Sequence, residues 1–256
     1  MTFLARWLRL TPVPRADGFV HVDELTVTGQ LDEAELEAAL GHELRRNYVD
    51  RAALEAIFED LGVPEVARHL RDHVFPGPVH LRHGEFGEAI TGAHFRTVRR
   101  YCMPILKLRY KQGRDRPVFG ADVLAFRLRV QPPVVAVPEA KTLANRDLNI
   151  GVEGYTSLEK VLSRLDESLH FVVARTAERG NAALASRIGA LLRGKRTVER
   201  HIMIVQDATC WDDRVVERLA AAAEQPVSLT VLRLAGLREL VAAAYKAAAE
   251  NLTHGA

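Results

Sequence analysis

The sequence predicts an α/β protein: a mixed sheet flanked by helices, with a mainly helical region ahead of it. Three observations carry this. Val134-Val135-Ala136-Val137 is a short apolar run suited to a buried strand, and Val227–Leu234 alternates as a strand. Long stretches such as Tyr155–Arg179 and Leu237–Leu252 carry helical periodicity. From Arg200 onward the order is β-α-β-α, which implies parallel strands in one sheet.

In chain order, Gly18–Asp23 and Leu25–Thr28 alternate enough for short strands. Leu31–Leu44 and Arg51–Leu61 have apolar residues at helical spacing. Gly62-Val63-Pro64 stops the second of these, and Pro64 fits the first turn of another helix reaching about Val74. Pro76-Gly77-Pro78 is the clearest break in the first half. Residues 1–78 are therefore read as a mainly helical N-terminal region, suited to docking a partner or regulating the rest, and 79–256 as the main domain. Beyond the break a helix presents Phe86, Ala89, Ile90, Ala93 and His94 on one face. Met103–Lys111 alternates cleanly and reads as a strand, with Lys107, Arg109 and Lys111 on one side and Leu106, Leu108 and Tyr110 on the other. Gly120–Thr142 reads as a hairpin broken at Pro132-Pro133, since proline cannot continue a ladder. Leu143–Gly154 reads as a loop, Tyr155–Arg179 as a helix capped by Thr156 or Ser157, and Asn181–Arg193 as a second helix. Strand Arg200–Gln206, helix Asp212–Glu224, strand Val227–Leu234 and the alanine-rich final helix complete the chain.

The chemistry sits in the hairpin. Asp122 opens its first strand. Glu139 and Lys141 are two apart on extended backbone and share a face, so the hairpin brings Asp122 beside them. Two neighbouring carboxylates raise each other's pKa, and a hard divalent cation relieves that repulsion. Asp122, Glu139 and the carbonyl of Ala140 supply oxygen ligands for such a cation, while Lys141 orients a metal-bound water or meets charge on a phosphate. This is the D-x(n)-E-x-K pattern of PD-(D/E)xK nucleases. The pattern recurs by chance, and the competing reading is a surface Glu–Lys pair at the end of a core strand. On the preceding helix Glu85 and Glu88 are near neighbours. A third acid there completes a metal site, and Glu88, further inside the helix, is favoured over Glu85; acids that favour the helix dipole are the alternative. Lys107, Arg109, Lys111 and Arg114 form a basic group suited to a DNA backbone near the metal.

These residues carry a family resemblance. Gly84-Glu85-Phe86-Gly87-Glu88, Gly120-Ala121-Asp122 and Glu139-Ala140-Lys141, with the KLRYK segment between, resemble HamA proteins, the nuclease subunits of the two-gene Hachiman anti-phage defence system. The resemblance covers roughly residues 80–170. It implies a restriction-endonuclease-like core, Asp122 and Glu139 as metal ligands and Lys141 as the catalytic lysine. It further implies DNA as substrate and a HamB-like superfamily 2 helicase as partner. Mg²⁺ is the expected cofactor, with Mn²⁺ as a substitute. Pro138, immediately before the glutamate, and the lengthened Gln131-Pro132-Pro133 turn depart from the family pattern; neither removes a catalytic group. The alternatives are an inactive nucleic-acid-binding or docking subunit and a stand-alone restriction or repair nuclease.

Elsewhere the chain is ordinary. With 48% hydrophobic and 27% charged residues and a net charge of +2, it is globular, and any nucleic-acid binding must come from a local patch. Cys102 and Cys210 do not make a disulfide framework, no apolar run reaches membrane-spanning length, and the expected setting is cytoplasmic. Gly189–Thr197 approaches a phosphate-binding loop but has Arg196 at the required Ser/Thr position and a helix before it. Asp207, Asp212 and Asp213 read as turn and cap residues, and the ten histidines lack zinc spacing.

Overall fold

Alternation in Val227–Leu234 puts Val227, Leu229 and Val231 on one face and Thr230, Leu232 and Leu234 on the other, and both faces are buried. A strand covered on both sides belongs inside a sheet. In the computed structural model, which describes residues 2–13, 18–50, 52, 63–118 and 120–250, this strand is β6 of a six-stranded sheet in the order β1-β2-β6-β5-β4-β3. The strands are β1 (Leu8–Val13), β2 (Val20–Val27), β3 (Ala125–Arg127), β4 (Val134–Leu143), β5 (Thr197–Asp207) and β6 (Val227–Leu234). The four inner strands run parallel, and β1 and β3 close the sheet antiparallel at its two edges.

Helices cover both faces. Helices α1 (Phe3–Trp7), α2 (Glu33–Tyr48), α3 (Val63–His69) and α4 (Val79–Thr97) lie on one side with the last, α9 (Leu237–Glu250). Helix α2 starts at Asp32, which accepts from Glu35 N at 2.8 Å while Glu35 accepts from Asp32 N, a capping box written in the sequence as D-x-x-E. Helices α5 (Ile150–Leu162), α6 (Leu165–Glu178), α7 (Ala182–Gly189) and α8 (Arg214–Ala222) lie on the other side. Phe86 and Ile90 anchor the first layer and Leu158 and Ile202 the second, all fully buried and each stabilising by roughly 2 kcal/mol. Residues 1–78 carry helices and, in addition, two strands: β2 pairs with β6, and α2 packs on α9. The sequence reading gave no strand at Leu8–Val13.

Four expectations change. Met103–Lys111 is not a strand: it is extended to Leu106 and then turns as a 3-10 helix over Lys107–Tyr110. Its alternation does not divide core from solvent, because Lys107 and Lys111 are drawn inward to carboxylates and are largely buried. The hairpin pairs only three residues of its first strand, and Asp122 lies in a bend ahead of β3. The expected helix Tyr155–Arg179 is two, broken at Ser163–Arg164, where the Ser163 hydroxyl donates back to Lys160 O at 2.8 Å. The loop expected before it is already helical from Ile150, and its glycines are packing positions instead of turns. The helix expected at Arg51–Leu61 lies outside the described residues except for Ala52, and Asn251 and Leu252 lie outside them too.

Candidate active site

The site is built on β4, where the ladder to β3 stops. Phe126 exchanges both main-chain bonds with Cys102, so its neighbours Ala125 and Arg127 are the ones bonded to β4, opposite Ala136 and Val134. Every second residue of β4 therefore turns its main chain to this edge: Ala136, then Pro138, then Ala140. Pro138 has no N–H to offer. The ladder ends there, which is the physical role of the proline that stood out in the sequence. Two residues on, Ala140 N donates to Asp122 Oδ2 at 3.1 Å, so the aspartate replaces a strand at the edge. In a strand the carbonyl points the same way as the N–H, so Ala140 presents its oxygen to this edge too.

Two glycines clamp β4 between helices. A Cβ on Gly87 of α4 would fall on Thr142 Oγ1, and one on Gly154 of α5 would meet Ile202 at 3.0 Å and Lys141 at 3.5 Å. Close approach on one face delivers Glu88, and on the other delivers Ser157 to Lys141. Glu139 and Lys141 share the α5 face. Lys141 Nζ lies 2.9 Å from Glu139 Oε1 and donates to Ser157 Oγ at 3.2 Å. Glu88, Asp122, Glu139 and Lys141, the four predicted catalytic residues, are thus brought together from a helix, a bend and a strand.

Lys107 joins them: the sequence reading has it at a DNA backbone near the metal, whereas here it is a partner of the acids themselves. Its Nζ sits 3.2 Å from Asp122 Oδ1 and 3.5 Å from Glu88 Oε2, and Glu88 Oε2 has no hydrogen-bond partner although it is buried. Burial together with Asp122 pushes the Glu88 carboxyl up to about 8, against the pull of Lys107. Burial and Asp122 also raise Glu139, with Lys141 opposing. Burial works against the Lys107 ammonium, yet Glu88 and Asp122 more than offset it and raise its pKa. Among the described residues no group of three or more His, Cys, Asp or Glu is placed so that it could hold a metal ion; Lys107 lies between two of the acids. The donor types, three carboxylates and a main-chain carbonyl, are the hard oxygen ligands that Mg²⁺ and Mn²⁺ take, and the buried Glu88 Oε2, without a hydrogen bond among the described residues, suits that set.

The remaining bases expected at DNA are held within the fold. Lys111 pairs with buried Glu85, which also accepts from Tyr48 Oη, and Tyr48 reaches Tyr245 Oη at 2.8 Å. Glu85 is thereby turned to a network between α2, α4 and α9, and Glu88 alone of the two faces Asp122. Arg109 donates to Arg46 O at 2.8 and 2.9 Å and to Asp50, and Arg114 donates to Asp72 O at 2.7 Å. Asp207 and Asp212 accept from Thr209 N and Arg214 N at 3.0 Å, as turn residues do.

A cavity of about 540 Å³ opens beside the acids. Glu88, Lys107 and Asp122 line it, as do Lys160, Arg164 and Phe171 from α5 and α6. Ser157, Lys160 and Arg164 recur at helical spacing along α5 and just past its end, so one stripe runs from the Lys141 contact to the cavity. The sequence points to Glu88, Lys107 and Asp122 at a metal and DNA site and to Lys160 or Arg164 within reach of a phosphate, but not to the apolar walls of this chamber.

The family model HamA matches residues 3–248, a span that contains every residue of the acid cluster. No curated protein matches the chain. Among the described residues no helix is long and apolar enough to cross a membrane. With the match extending over nearly all of its length, the chain belongs to the HamA family.

Proposed function

We propose that the chain is a metal-dependent deoxyribonuclease, acting as effector beside a superfamily 2 helicase. Membership of the HamA family supports involvement in Hachiman defence. The observation that carries the enzymatic reading is the convergence of Glu88, Asp122, Glu139 and Lys141 on the open edge of β4.

In this reading Asp122, Glu139, Glu88 and the Ala140 carbonyl hold Mg²⁺ or Mn²⁺. A cation so bound supplies Lewis-acid charge to a phosphate oxygen and acidifies a bound water. The chain's own work is positioning. Ser157 and Glu139 hold the Lys141 ammonium at fixed reach from the acids, where it orients the attacking water and meets charge developing on the phosphate. Lys107 bridges Glu88 and Asp122, and its one positive charge lowers the repulsion between them. Lys160, exposed and without an ion-pair partner among the described residues, meets a flanking phosphate at the cavity rim.

The test is plasmid cleavage in Mg²⁺ or Mn²⁺, with and without a helicase encoded alongside. Wild type should nick or degrade DNA, EDTA should stop it, and Lys141→Ala should lower the rate by at least about 100-fold, as loss of one charge-stabilising group does. Cleavage only with the helicase present supports a gated effector. No cleavage and no metal binding in any condition would leave a docking subunit in its place.

A further inference from the structure

The cavity beside the acids has walls that hydrolysis alone does not call for. A phosphate and a cation take oxygen and nitrogen ligands, whereas this chamber is lined largely by apolar side chains, among them Leu124, Val161, Phe171 and Val172. Its volume, about 540 Å³, is that of a pocket for an organic group. Two polar side chains with free valence line it. Asn47 donates its amide to Glu43 O at 2.9 Å and to Glu43 Oε1 at 3.0 Å, and its own carbonyl oxygen has no partner among the described residues. Ser168, 9% exposed, has a hydroxyl with no partner among them either. At the rim stand Lys160, unpaired among the described residues, and Arg164, held by Glu167 at 2.7 and 3.0 Å.

The Phe171 ring, with Arg175 5.7 Å over it and Tyr110 edge-on at 5.5 Å, a few hydrogen-bonding groups and a cation at the mouth, all contiguous with the carboxylates, together describe one ligand. It is flat and apolar on its faces, polar at its edge, and tied to an anionic backbone. We propose that the cavity receives one unstacked nucleobase of the DNA strand whose phosphate lies at the acids. The inference rests on the nuclease reading and deepens it. A base paired and stacked within a duplex cannot enter, so the strand taken is single or locally opened.

The test is binding in Ca²⁺ of a single-stranded oligodeoxynucleotide carrying one 2-aminopurine, against the same sequence as duplex. Wild type should bind the single strand at least tenfold tighter, and the fluorescence should change on binding when the probe sits at one position of the strand. Phe171→Ala removes the ring, and Val161→Trp fills the chamber from its partly exposed rim. Each should weaken single-strand binding by about tenfold, the scale of one lost base stack, and leave duplex binding unchanged. Thermal melts verify that both variants are folded. Equal affinity for the two DNA forms, equal weakening of both by the variants, or no change in fluorescence at any probe position would overturn the pocket. So would a Val161→Trp variant that loses only its helicase partner, since the cavity would then be a protein contact. Absence of cleavage in Mg²⁺ with the single-strand preference intact would sink hydrolysis and leave the pocket standing; cleavage without the preference would do the reverse.

Discussion

Lys107 and Glu88 show what one residue position can and cannot reveal. That Glu139 and Lys141 lie together was legible because extended backbone fixes which side chains share a face, whereas Asp122 reaches them from a bend instead of the expected strand. Glu88 was legible because i,i+3 spacing singled out two acids and helix position chose between them. Lys107 was not, since a base in an alternating run looks alike whether it meets solvent or a buried carboxylate. The acid cluster has a consequence for stability. Glu88 keeps its proton in the folded protein up to about 8, whereas the ordinary value is 4.5. Between these values the folded state binds more protons than the unfolded one, so stability falls as pH rises through the window. Raised Glu139 adds to the same slope. Metal-free wild type should lose melting temperature from pH 4.5 to 8, and Glu88→Gln should flatten that loss. An identical slope in the variant would show that Glu88 is not the carboxyl responsible.

At the scale of elements, β6 was read to the residue because it is buried on both faces and bounded by turn residues. The second hairpin strand was equally clear, while its partner shrank to Ala125–Arg127. The difference is Pro138 and Asp122: a missing donor and a substitute acceptor end the ladder, and no local pattern in Asp122–Val130 announces it. Helix α5 was cut short in the reading because Gly151 and Gly154 look like turn residues, although here they let the helix press on its neighbours. The clamp on β4 is testable. Gly87→Ala should destabilise by about 1–3 kcal/mol in chemical denaturation, the cost of an overpacked contact. Adding Thr142→Ala removes the group that the new methyl strikes and should restore at least half of the loss. Purely additive effects would mean that α4 does not rest on β4 at this point.

For the whole molecule, composition and the β-α-β-α order fixed the class, and the parallel β5–β6 pair followed from it. The sequence could not show how its first strands join the sheet, because pairing partners distant in sequence leave no local trace. With β2 bonded to β6 and α2 seated on α9, residues before Pro76 complete the sheet and its cover. A chain starting at Val79 should therefore be insoluble or molten, losing the sharp thermal transition of the full chain. A cooperative melt of that fragment would show the later residues to be independent.

Strand order in the sheet also sets an order in time. Strands β1 and β2 are made first, yet β2 gains its only partner besides β1 when β6 appears, about 200 residues later. Strands β3, β4 and β5, with the acid cluster, emerge before the interior strand that joins them to β2. On the ribosome, then, the residues of the acid cluster exist for a time as parts of an unfinished sheet, which becomes continuous only when its last strand enters between β2 and β5.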